Sequence, residues 1–211
     1  MTQVNKEHYF RKKYDSLDRF ISYSYQIDLT NDLGVRKILE IGKGNGFFAD
    51  YMKKAGFDVT TCDFDAGLKP DVVADVRKLP FKDNEFEAVT AFEILEHIPF
   101  EDVPTALAEL RRVSSRYAVI SLPYDSTGFE FVIKFPGIRT LLKMPFLSLF
   151  LRIPLKFGGI KVSGQHYWEI DRWQYRLPKV RAEIEKYFKI LKEIRPPMNH
   201  YHYFFVLEKK P

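Results

Sequence analysis

The sequence predicts an α/β fold: a doubly wound, mostly parallel sheet with helices on both faces and an antiparallel last strand. Three observations carry this reading. Short apolar, β-branched runs alternate with helical periods between residues 36 and 123, the signature of a parallel sheet wrapped by helices. The first run, RKILEI, leads straight into a loop with glycines at 42, 44 and 46. The chain closes with two strand-like runs separated by Pro196, Pro197 and Asn199, a short turn that suits an antiparallel pair.

Each element has its own reason. Between residues 5 and 31, Tyr9, Phe10, Tyr14, Leu17, Phe20, Ile21 and Tyr25 recur at helical spacing, so one or two helices within residues 1–33 lead into the domain. RKILEI is the first strand, and a helix over 46–55 follows the glycine loop, ended by Gly56 as a C-terminal cap. DVTTCD, rich in β-branched residues, is the second strand and DVVADV the third. EAVTAFEIL contains the fourth. VPTALAELRRV is a helix with Pro104 in its first turn, where a missing N–H is harmless. RYAVISLP is the fifth strand. After Pro123 the alternation breaks, and residues 124–168 read as an insertion. A helix, LPKVRAEIEKYF, and the strands KILKEI and HYHYFFVLEK complete the chain. No repeat, low-complexity tract or linker interrupts it, so one domain over 1–211 is expected.

Composition bounds the class. The 211 residues suffice for one sizeable core. Apolar content of 45% and charged content of 29% are those of an ordinary globular protein. The net charge of +5 is mildly basic, which permits an anionic partner without demanding one. Cys62 is the only cysteine, so no internal disulfide forms and a reducing compartment fits. The first fifteen residues are too polar for a signal peptide, and no apolar run is long enough for a membrane span. The expected location is cytoplasmic, with membrane association left open by the insertion described below.

A strand, a glycine-rich turn and a helix start together make a nucleotide-type site, because free backbone N–H groups meet a ligand that glycine lets approach. The spacing is G-x-G-x-G, not the G-x-G-x-x-G of dinucleotide sites, since Phe47 stands where their third glycine falls. A P-loop needs Gly-Lys before Ser or Thr, which is absent. Glu40, two residues before Gly42, would repel a pyrophosphate. It suits a ligand with a cationic part, and S-adenosylmethionine carries an ammonium and a sulfonium but no phosphate. A ribose-binding acid is expected about 20 residues on, after the second strand; Asp63 ends VTTCD there. Asp75 follows the third strand, where the adenine amino group would lie.

With LEIGKGNG, TTCDFD, ADVRKLPF and FEAVTAFEILEHIP in this order, the chain resembles the class I S-adenosylmethionine-dependent methyltransferases of the small single-domain, type 11-like kind. The resemblance spans roughly residues 36–123. It implies a seven-stranded, Rossmann-like methyltransferase sheet with the last strand antiparallel. It also implies that Glu40 and the Gly42, Gly44, Gly46 loop hold the methionine part of S-adenosylmethionine. Asp63 and Phe64 would meet the ribose side, Asp75 and Val76 the adenine, and Phe92 and Glu93 the site after the fourth strand. Alternative classes are a dinucleotide oxidoreductase, which fails on loop spacing, and a non-catalytic S-adenosylmethionine-binding protein.

EILEHIP contributes Glu93, Glu96 and His97 in an E-x-x-E-H pattern. In a helical turn these three share a face. The pattern resembles the metal-binding element of small-RNA 3′-terminal 2′-O-methyltransferases and of ubiquinone-pathway O-methyltransferases. In the RNA enzymes a further histidine follows the fifth strand, and His166 in GQHYWE occupies a comparable place. Two uses follow. His97, His166 and Glu93 act as catalytic residues at an acceptor hydroxyl, or Glu93, Glu96, His97 and His166 ligate a divalent metal.

Residues 129–161 are dense in Phe, Leu and Ile and broken by Pro136, Pro145 and Pro154. From Phe131 to Trp168 there is no acidic residue, while Lys134, Arg139, Lys143, Arg152, Lys156 and Lys161 are basic. The plainer expectation is a cap of short helices over the acceptor pocket; the sharper one, compatible with it, is a face resting on an anionic membrane. The expected acceptor is a small or lipid-linked molecule. An RNA 2′-O-type or other nucleic-acid acceptor is the alternative, and it is disfavoured because no RNA-binding motif is appended.

Overall fold

The structure, a computed structural model, describes residues 7, 9, 14–124, 128–142, 146–153, 166–172 and 174–210. Strands β1 (Lys37–Ile41), β2 (Asp58–Asp63), β3 (Val72–Val73), β4 (Phe86–Phe92) and β5 (Ser114–Pro123) run parallel. β8 (Phe188–Ile194) and β9 (His202–Lys209) complete a seven-stranded sheet of order β3-β2-β1-β4-β5-β9-β8, with β9 antiparallel to both neighbours. The order reverses between β1 and β4. That switch point leaves a crevice beyond the carboxyl ends of the strands.

Both faces are covered. Helix α1 (Leu17–Asn31) starts at Ser16, whose hydroxyl accepts from the Arg19 N–H, a capping contact. Helix α2 (Phe47–Lys54) packs Phe48, Ala49 and Met52 against Ile38, Val59 and Ala88. Helix α3 (Val103–Val113) buries Val103, Ala106, Leu107, Leu110 and Val113, the three-four spacing of one apolar stripe. Helix α5 (Leu177–Ile184) places Val180 and Ile184 in the larger core with Leu39, Phe86, Ile120 and Phe205.

Three expectations change in detail. The third strand shrinks to two residues, because side chains claim the chain around it: Asp71 accepts from the Thr61 N–H and hydroxyl, and Asp75 binds Arg77. The helix expected over 177–188 stops at Ile184, and Phe188 is fully buried as the first residue of β8. Among the described residues, the insertion is not a set of short helices. Its described part is an antiparallel hairpin, β6 (Gly128–Ile133) with β7 (Leu147–Arg152), plus one short helix, α4 (Ile138–Leu142). Lys143, Lys156, Lys161 and residues 154–165 lie outside the described residues.

Candidate active site

Gly42, Gly44 and Gly46 all have positive φ, at +85°, +53° and +79°, a region only glycine enters freely. The turn they make brings the β1 end beneath a cavity of about 270 Å³ at the carboxyl edge of the sheet, near the small end of small-ligand sites (about 300–1,000 Å³). Gly42 and Gly44 line it; Gly46 instead caps α2. Asp63, Phe64, Val76, Phe92, Glu93, Glu96, His97 and His166 also line it.

Asp63 is buried, which raises its carboxyl above the usual range, against backbone hydrogen bonds from Asp65, Lys43 and Gly44. Glu40 borders a smaller adjoining recess with Arg19 and Gly44. It is 3% exposed, and its Oε2 has no hydrogen-bond partner. Burial, then the Asp63 charge, pushes its carboxyl well above the ordinary range. Asp75 does not line the cavity. Both its oxygens bind Arg77, at 2.9 and 2.6 Å, and Arg77 reaches on to Asp102 at 2.6 Å. Its neighbours Ala74 and Val76 do line the cavity.

The E-x-x-E-H segment is not one helical face. Glu93 has φ +56° and only Leu95–His97 form a single 3₁₀ turn, so the i, i+3 and i, i+4 relation is broken at Glu93. Glu96, His97 and His166 come together, with one ligand atom from each within 4.8 Å of the others. Glu93 stands outside this cluster and turns to His202, its Oε2 3.7 Å from Nε2. Burial, partly offset by Arg19, raises the Glu93 carboxyl to about 7. Burial and then Glu93 push Glu96 well above its usual range, and neither Glu96 oxygen has a hydrogen-bond partner.

The His97 and His166 rings meet edge-on, centroids 4.9 Å apart. Two contacts tie their segments together: the Tyr167 N–H donates to the Glu96 carbonyl at 2.8 Å and the Trp168 indole to the Leu95 carbonyl at 3.1 Å. Glu169 accepts from His166 Nδ1 at 2.9 Å and from Arg172 at 3.0 Å. Burial works against the Glu169 charge, but His166, Arg172 and Tyr201 hold it below the usual carboxylate range. A carboxylate at Nδ1 fixes the tautomer and leaves Nε2 as an acceptor.

Several lining residues carry no sequence motif. Tyr9, Tyr14 and Arg19 enter from the N-terminal segment, and Tyr201 and His202 from the start of β9. Arg19 lies 4.5 Å over the Tyr14 ring. One signal for the second pair exists: β9, being antiparallel to β5, must begin where β5 ends, and His202 pairs with Pro123. Burial, then the Arg19 and His166 charges, lowers His202 to about 3, so it is a neutral imidazole.

Residues 39–121 match the family described as "Methyltransferase domain". This segment, under half of the chain, resembles the S-adenosylmethionine-dependent methyltransferases. The chain is 36% identical over 89 residues to a demethylmenaquinone methyltransferase of Streptomyces avermitilis, covering 37% of this chain and 38% of the relative. It is 30% identical over 87 residues to a ubiquinone biosynthesis O-methyltransferase of Bordetella avium, covering 34% and 36%. The chain thus matches under two fifths of these relatives' length. In fold, the chain is similar to the magnesium protoporphyrin IX methyltransferase of Synechocystis, solved with bound S-adenosylhomocysteine. The TM-score is 0.59 at 17% identity, over 100% of this chain and 90% of that one.

Proposed function

We propose that the chain transfers a methyl group from S-adenosylmethionine to a hydroxyl oxygen of a small or lipid-linked acceptor of quinone type. The observation that carries this is the cavity itself. Asp63 and the glycine turn line it together with an imidazole, His166, already oriented by Glu169.

The residues present fit the cofactor. The unpartnered Glu40 oxygen in the adjoining recess matches an ammonium. Arg19, which borders both spaces, matches a carboxylate. Asp63 matches a pair of ribose hydroxyls. A dinucleotide pyrophosphate is disfavoured by the acids Asp63, Asp65, Glu93 and Glu96 around the cavity. When bound, S-adenosylmethionine supplies a methyl group already activated on a sulfonium.

The chain's own residues do the rest. The cavity walls hold the acceptor oxygen in line, and orientation of this kind contributes about 7–11 kcal/mol. The acceptor proton passes to Nε2 of His166, and Glu169 stabilises the imidazolium from Nδ1, a general-base arrangement worth about 10²–10⁴-fold. The named relatives support a quinone-type acceptor, since one is a demethylmenaquinone methyltransferase and another a ubiquinone biosynthesis O-methyltransferase.

One observation favours a second reading at the same place. Both Glu96 oxygens are buried without partners, beside His97 and His166. A divalent cation bound by Glu96, His97 and His166 would polarise the acceptor oxygen directly. Addition of Co²⁺ separates the two: a visible absorption band lost in His97→Ala supports the metal, and its absence leaves the imidazole as base.

The test of the main reading is paired. S-adenosylhomocysteine is titrated calorimetrically, and labelled methyl transfer to a reduced short-chain quinone is counted. His166→Ala is expected to keep cofactor affinity within about twofold and lose at least about a hundredfold in turnover. Undiminished turnover in that variant overturns the role of His166, and no heat with S-adenosylhomocysteine overturns the reading as a whole.

A further inference from the structure

The β6–β7 hairpin has two unlike faces. Its inner face is tied to the body: Glu130 accepts from Ser148 Oγ at 2.5 Å and from the Met198 N–H at 2.9 Å, and lies 3.1 Å from His200 Nε2. Phe150 packs on the His200 ring and carries the Arg195 guanidinium at 4.6 Å. On the outer face the register pairs Phe129 with Leu151, Phe131 with Leu149 and Ile133 with Leu147. All six are exposed, Phe129 at 62% and Leu149 at 58%. Exposed Leu141 and Leu142 of α4 add to them.

Six large apolar side chains in direct cross-strand pairs are far from the scattered exposure normal for a surface. The charged residues of this stretch of sequence have one sign. Residues 131–168 contain six Lys or Arg and no Asp or Glu, and Lys134 and Arg139 are exposed beside the patch. The one acid of the hairpin, Glu130, faces inward.

We infer that this outer face docks on an anionic lipid bilayer, with the aromatic and leucine side chains among the acyl chains and Lys134 and Arg139 at the headgroups. A second copy of the chain is a poorer occupant. A two-fold contact would set the same cationic border against itself, whereas anionic headgroups complement it. The anchoring segment 195–202 also supplies Tyr201 and His202 to the cavity wall, so docking brings the cavity beside the lipid, where a lipid-linked acceptor resides. The last point rests on the proposed activity; the docking itself does not.

The test uses the full chain and no activity assay. The protein is sedimented with phosphatidylcholine–phosphatidylglycerol vesicles and with pure phosphatidylcholine vesicles. Strong binding to the anionic vesicles, weaker binding to the neutral ones, and weakening as salt rises are expected. The cross-strand variant Phe131→Ser/Leu149→Ser is expected to bind at least about tenfold more weakly, two buried apolar side chains being lost, with an unchanged melting temperature. A second probe does not depend on that variant folding well. Cys62 is buried, so a dye placed at Leu149→Cys labels selectively and is expected to shift to the blue on anionic vesicles. No sedimentation, equal binding to both vesicles, an unshifted dye, or a dimer of the wild type that the paired variant makes monomeric would each overturn the inference.

Discussion

Gly42 has φ +85°, and a Cβ placed there lies 1.9 Å from Cδ1 of Ile94. The turn after β1 and the segment after β4 therefore touch through a glycine, and their spacing sets the cavity width. Gly42→Ala is expected to destabilise the fold by about 1–3 kcal/mol through overpacking and to abolish S-adenosylhomocysteine binding, read by thermal melting and calorimetry. Asp63→Ala is expected to leave the fold intact and weaken that binding at least about tenfold, or 1.4 kcal/mol; unchanged affinity would remove Asp63 from the ribose site. The two aspartates show what a sequence discloses about a site. Asp63 was legible because strand length and the β1–β2 spacing place it at the sheet edge. Asp75 sits at an equally plausible distance, but Arg77, itself held by Asp102, captures it. Asp102 comes from another loop, so that capture depends on a contact no local pattern reveals. Likewise the E-x-x-E-H letters suggest one helical face, and the single positive φ at Glu93 divides it.

Among the elements, α3 shows how the segment before β4 is fixed. Arg112 in its last turn donates to Glu109 at 2.6 and 2.8 Å, to the Phe81 carbonyl at 2.6 Å, to the Leu79 carbonyl at 2.9 Å and to Asp83 at 3.0 Å. Glu109 in turn accepts from the Leu79 N–H at 2.7 Å. Arg112→Met keeps the stem but leaves those carbonyls and Glu109 without their donor. It is expected to lower stability by about 1–3 kcal/mol, seen as an earlier urea midpoint with an unchanged slope; an unmoved midpoint would mean that water replaces the clamp at no cost. The α and β elements up to Pro123 were legible because burial on one stripe or both faces leaves clear periods in the sequence. The insertion was not. FEFVI and LSLFL do alternate, but apolar residues also occupy inner positions such as Val132 and Phe150, and the outer face is apolar where water-facing strands are polar. A pattern with both faces greasy does not distinguish strand from helix.

At the scale of the whole molecule, the cavity gathers more buried carboxyls than cations, and that has a consequence for stability. Glu40 and Glu93 are both raised by burial, Glu93 to about 7 and Glu40 well above the ordinary range. A carboxyl raised in the folded state contributes most below its unfolded value of about 4.3 and loses that contribution as pH climbs through the folded value. His202, lowered to about 3, acts oppositely: its contribution is complete above its unfolded value of about 6.5 and is lost as pH falls below it. Below about pH 6.5 the two trends oppose each other; above it only the carboxyl trend remains. The melting temperature of the ligand-free protein is therefore expected to fall between about pH 6.5 and 8. Glu93→Gln removes the carboxyl raised to about 7 without changing shape, so its slope over that range should be shallower than that of the wild type. S-adenosylmethionine, which carries its ammonium to Glu40 in the proposed site, should raise the melting temperature of the wild type, because a ligand binding only the folded state adds to its stability. In Glu40→Gln that rise should shrink. Differential scanning fluorimetry across the range, with and without the cofactor, reads both effects. A wild-type melting temperature that rises with pH, or a Glu93→Gln slope identical to it, would show that Glu93 is not the buried carboxyl that governs this trend.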